Sequence, residues 1–125
     1  MKKRVLILEN DRDTADMLKF LTRQLNVEVV SSDKTMYVAD IKRLSPDLIL
    51  SNDWLGADLG GDLCKALKSK ESTKEIPVIL VSTADDLPKI ARRSKADAYV
   101  KRPFNINHLV DLMTGFLYKK KISLV

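Results

Sequence analysis

Five short aliphatic runs, separated by helical patterns, constrain this chain more than any other feature. They are Val5–Leu8, Val27–Val30, Leu48–Leu50, Val78–Val81 and Ala98–Val100, interrupted only by Glu28 and Tyr99. Runs this short and this continuous suit strands covered on both faces, as in a parallel sheet. Between them, apolar residues recur at helical spacing. Met17, Leu18, Leu21 and Leu25 follow the polar cluster Asn10–Asp13, where Asp11 is placed to cap a helix. Val38, Ile41 and Leu44 precede a stop at Pro46, and Leu63, Cys64 and Leu67 mark a third helix. Leu87, Ile90 and Ala91 mark a fourth, with Asp85 or Asp86 as cap and Pro88 in the first turn. The last stripe is Ile106, Leu109, Val110, Met113, Phe116 and Leu117. Five strand-then-helix repeats predict a doubly wound α/β fold with a five-stranded parallel sheet, residues 1–125 forming one domain. Such sheets place their ligand site at the carboxyl ends of the strands, near a switch in strand order.

Composition narrows the function classes. A formal charge of +5 invites a nucleic-acid reading, but aromatics are only 6% and no basic-aromatic interleaving occurs. The run Lys119, Lys120 and Lys121 reads as a solvated helix end that complements the helix dipole. A small α/β nucleic-acid-binding domain therefore stands as an alternative, not the leading expectation. No glycine-rich phosphate loop follows the first run, which counts against a nucleotide-binding enzyme. No stretch approaches the ~20 apolar residues of a membrane span. The apolar run after Met1–Arg4 stops at Glu9, too soon for a secretory leader. With Cys64 alone, no internal disulfide can form, and the cytoplasm is the expected compartment. Cys64 lies on an apolar stripe and reads as packing, while His108 has no nearby Cys or His and reads as a surface residue.

Four of the runs end in polar residues. The first ends Leu8-Glu9-Asn10-Asp11, the third Leu50-Ser51-Asn52-Asp53 and the fourth Val81-Ser82-Thr83, while the fifth runs into Lys101-Arg102-Pro103-Phe104. In this order and at this spacing, with Pro46-Asp47-Leu48-Ile49-Leu50, Gly60 and Ala96–Phe104, the whole chain resembles the receiver domain of two-component response regulators. The resemblance implies a flavodoxin-like (βα)5 fold and signalling in a phosphorelay without enzymatic activity of its own. It also implies a Mg2+ site at the acidic end of the first strand. Ser82 and Tyr99 match the family's switch pair, and Arg102-Pro103 matches a lysine-proline bond that is commonly cis.

The departures from that pattern set the functional expectation. Ungapped, the register puts Asn52 at the phosphoacceptor position. Asn10 replaces the second acidic ligand and leaves Glu9 as the first, while Arg102 replaces the lysine. An amide oxygen carries no full charge and is a poor nucleophile. One carboxylate and two amides suit a hard dication badly, so a bound metal is not expected. The chain is thus expected to be a pseudo-receiver acting through protein contacts. The implied contact face comprises the fourth helix, fifth strand and fifth helix, and a homodimer is a further expectation. Glu9 and Arg102, deprived of their usual partners, are expected to pair. The alternative on the same fold is a conventional receiver using Asp53 as acceptor. Side chains alternate along a strand, so Asp53 should point away from the direction of Asn52.

Overall fold

The computed structural model describes residues 2–52 and 61–118. Five strands and five helices alternate: β1 (Arg4–Leu8), α1 (Arg12–Arg23), β2 (Glu28–Ser32), α2 (Val38–Leu44), β3 (Leu48–Ser51), α3 (Asp62–Lys68), β4 (Val78–Ser82), α4 (Leu87–Ser94), β5 (Ala98–Lys101) and α5 (Ile106–Tyr118). All strand pairs are parallel and the order is β2-β1-β3-β4-β5. The order reverses between β1 and β3, so their carboxyl ends flank the crevice where such folds take ligands.

Two apolar layers cover the sheet. On one face Val5, Ile7, Leu48, Leu50, Ile79 and Val81 pack with Leu18 and Leu21 of α1 and Leu109, Met113 and Leu117 of α5. On the other, Leu6, Leu8, Ile49, Val78 and Leu80 pack with Ile41, Leu63, Leu67, Leu87 and Ile90 from α2, α3 and α4. Every residue of β3 and β4 is buried. The expectation of two covered faces holds for the central strands and fails at the edges. No residue of β2 is fully buried and in β5 only Val100 is, each edge strand having a neighbour on one side only.

Local signals explain most boundaries. Asp11 caps α1 by accepting from the Thr14 amide at 3.0 Å. Ser45 ends α2 in the left-handed region just before Pro46. Asp86 stands at the N-cap of α4 with Pro88 inside the first turn, but its side chain makes no cap bond, while Asp85 instead pairs with Lys101 at 2.9 Å. Cys64 is buried and donates to the Ser94 carbonyl, and burial pushes its thiol pKa up. His108 is exposed on α5, and so is Ile106, which the apolar stripe had placed inside. Trp54, Gly60 and Lys119–Lys121 lie outside the described residues.

Candidate functional site

The strands end in polar residues that the ladder itself aims at the crevice. Leu8 pairs with Ser51, and the Asn52 amide donates to the Leu8 carbonyl at 2.9 Å, carrying the β1–β3 pairing one residue further. That step brings the Asn52 side chain onto Glu9, and Asn52 Nδ2 donates to Glu9 Oε2 at 2.9 Å. Glu9 is only 2% exposed, held by its own amide donating to the Ser32 carbonyl at 3.1 Å. Its Oε2 also accepts from the Asp11 amide at 3.0 Å, whereas its buried Oε1 has no hydrogen-bond partner among the described residues. Asn10, the next residue, is exposed.

Arg102 does not meet Glu9. The expected pair is replaced by a different one: Arg102 Nη1 donates to Asp11 Oδ2 at 3.3 Å and makes a short contact with Thr14 Oγ1. The physical reason is desolvation: Glu9 is 2% exposed, whereas Asp11 at the head of α1 offers a partly solvated carboxylate at lower desolvation cost. Asp11 Oδ2 accepts from the Thr14 amide at 3.0 Å and the Thr14 hydroxyl at 2.5 Å as well as from Arg102. The Thr14 hydroxyl and amide, then the Arg102 charge and hydrogen bond, hold the Asp11 carboxyl below the usual carboxylate range. The Arg102-Pro103 peptide is cis.

Thr14 is the residue that pattern reading missed. It is buried, and helical spacing places it in line with Leu18, Leu21 and Leu25. A hydroxyl on an apolar stripe needs a partner, and that was the available signal. On the neighbouring strands, Ser82 is buried and its Oγ accepts from the Ala84 amide at 3.0 Å. Its carbonyl accepts from the Arg102 amide at 2.8 Å. Tyr99 is 45% exposed, while Ser82 is buried. Asp53 lies outside the described residues.

A doubly wound sheet with a buried carboxylate at the reversal of strand order defines an α/β protein whose site lies at its strand ends. The chain matches the response regulator receiver domain over residues 5–114 and belongs to that family. It is 33% identical over 109 residues to the sensory transduction protein RegX3 of Mycobacterium tuberculosis, covering 85% of this chain and 47% of that protein. To the DNA-binding response regulator MtrA of Mycobacterium leprae it is 27% identical over 113 residues, covering 88% and 49%. The chain thus spans about half the length of the curated relatives it matches. Among solved structures, the signal receiver domain of a DNA-binding response regulator from Colwellia psychrerythraea superposes with a TM-score of 0.82 at 22% identity, covering 92% of this chain and 98% of that one. A receiver domain of a sensor histidine kinase from Pseudomonas aeruginosa, with magnesium coordinated in its active-site cleft, superposes at 0.80 with 19% identity, covering 94% and 98%. The protein is therefore a two-component receiver domain, a signalling module. No helix among the described residues is long and apolar enough to cross a membrane.

The magnesium that the family implies finds a poor donor set here. Among the described residues no three His, Cys, Asp or Glu side chains converge. Glu9 offers one free oxygen, Asn52 turns its amide N–H toward Glu9, and Arg102 is drawn off to Asp11. Mg2+ favours several hard oxygens in octahedral array. The described residues do not fit it.

Proposed function

We propose that this receiver domain, taken as residues 1–125, signals through protein contacts in the cytoplasm without aspartyl phosphorylation. The observation that carries the proposal is the hydrogen bond from Asn52 Nδ2 to Glu9 Oε2 at 2.9 Å. It supports the assignment of Asn52 to the phosphoacceptor position, because this residue, directly after β3, meets the buried carboxylate of Glu9. The amide cannot serve as the nucleophile, and one carboxylate is a weak site for the metal that phosphoryl transfer requires. Glu9 and Asn10 are on this view a vestigial metal pocket, with Arg102 and Pro103 in the lysine-proline position.

The contact face we assign to α4, β5 and α5. There Ala91, Arg92, Ala98, Tyr99, His108 and Leu112 line an open groove, with Tyr99 presented to solvent. Ser82 and Tyr99 would then act as fixed elements of that face and not as a phosphorylation-driven pair.

The test is incubation with magnesium and either acetyl phosphate or beryllium fluoride, followed by intact mass and amide chemical shifts. The expected result is no added phosphoryl mass and no shift at the ends of β1, β3 and β4. A stable acyl phosphate mapped to Asp53 would overturn the proposal in favour of a conventional receiver.

A further inference from the structure

We propose that Arg102, Thr14 and Asp11 form a permanent latch. It holds the β5–α5 turn on the first turn of α1 whether or not anything occupies the strand ends. Arg102 lies 88 positions along the chain from Thr14 and 91 from Asp11, yet the three close a triangle. Arg102 Nη1 donates to both oxygens, and the Thr14 hydroxyl that accepts from it donates in turn to Asp11 Oδ2 at 2.5 Å. Every link is charge-assisted or cooperative with one that is. The guanidinium takes this arrangement even though its buried Nε has no partner among the described residues.

The latch is one end of a longer chain of bonds. Asn52 donates to Glu9, Glu9 accepts from the Asp11 amide, and Asp11 joins Thr14 and Arg102, so β3, β1, α1 and β5 are connected along the rim. The Arg102 amide donates to the Ser82 carbonyl and adds β4. At the opposite end of the same helix pair, Tyr118 Oη donates to the Leu25 carbonyl at 2.8 Å. Helices α1 and α5 share one apolar layer and are pinned at both ends. A cation that answers to a buried hydroxyl and a cap carboxylate has no need of a ligand at the strand ends to stay in place. The inference is independent of whether Asp53 takes up a phosphoryl group.

Residue-resolved hydrogen exchange on the 125-residue chain tests it, with Arg102→Gln, Asp11→Asn, Thr14→Val and the pair Asp11→Asn/Arg102→Gln. Breaking a charged hydrogen bond is expected to speed exchange about tenfold at the amides of His108 and Leu109, which donate to the Asn105 side chain and carbonyl. The amides of Ile49 and Leu80, in the buried central strands, should speed up by no more than that factor, since losing the latch also lowers the global opening free energy. The double variant should exchange no faster than the more affected single one, because the residues act as a unit. Asp11→Asn guards against a trivial folding defect, since asparagine still accepts from the Thr14 amide and caps α1. Wild-type rates at His108 and Leu109 in both Asp11→Asn and Arg102→Gln would overturn the latch, and so would single effects that multiply in the double variant.

Discussion

Leu8 and Glu9 are neighbours at the end of β1 and are buried almost equally, at 0% and 2% exposure. They obey different rules. Leu8 sits in an apolar layer with Leu6, Ile49 and Leu80, where attraction is non-directional and another aliphatic of similar volume would serve. Glu9 needs particular donors at particular places, and one of its oxygens lacks any. The central strands are thus specified by a composition, whereas the rim one residue beyond is specified by a constellation. A scaffold of this kind can keep its shape while the chemistry at its strand ends changes, because the two draw on separate residues.

The largest effect that would test this division lies in the core. Leu50→Ala, on β3 two residues before Asn52, removes a fully buried side chain from the layer shared by α1 and α5. It should lower unfolding free energy by about 2–5 kcal/mol in urea titrations. A loss below half a kcal/mol would show that the rim, and not the layer, holds β3. Glu9→Gln should move stability the other way. It removes a buried charge with an unpartnered oxygen while keeping an acceptor for Asn52 and the Asp11 amide, so a gain on the order of 1 kcal/mol is expected. A comparable loss would mean that Glu9 Oε1 is matched by a donor or cation in solution.

What could be read from the sequence follows the same division. The aliphatic runs announced all five strands, and the helical stripes all five helices, because burial leaves a periodic mark. The strand ends ran one residue further than the runs, since Ser51, Ser82 and Lys101 continue the ladder through backbone bonds that their side chains do not advertise. At β2 the strand shifts to Glu28–Ser32, an edge where exposed polar residues are tolerated. The cap at Asp11 was legible because it is local. The partner of Arg102 was not. The choice between Glu9 and Asp11 depends on how deeply each carboxylate is buried, 2% exposed for Glu9 against 51% for the Asp11 side chain, which only the assembled rim decides.

The smallest effect concerns the ionisation of Asp11 and separates the two partners of its carboxylate. Its pKa lies below the usual carboxylate range, with the Thr14 hydroxyl as the largest cause, the Thr14 amide next among the lowering ones and Arg102 after them. A carboxyl depressed on folding contributes stability that is fully present above its unfolded pKa and is lost as pH falls through the folded one. Titrating Asp11 by carboxyl chemical shift should therefore show the midpoint rising toward the ordinary value in both Thr14→Val and Arg102→Gln. The rise should be greater in Thr14→Val, because the hydroxyl is a direct donor while the guanidinium, partly exposed at 24%, is screened by water. Added salt should shrink the Arg102→Gln effect and leave that of Thr14→Val nearly intact. The opposite ranking, with Arg102→Gln dominant and salt-sensitive, would make the rim an ordinary ion pair with Thr14 as a bystander. A midpoint already at the ordinary value in the wild type would show that Asp11 is not held by either residue, and the contrast between a composed core and a constructed rim would have to be drawn elsewhere.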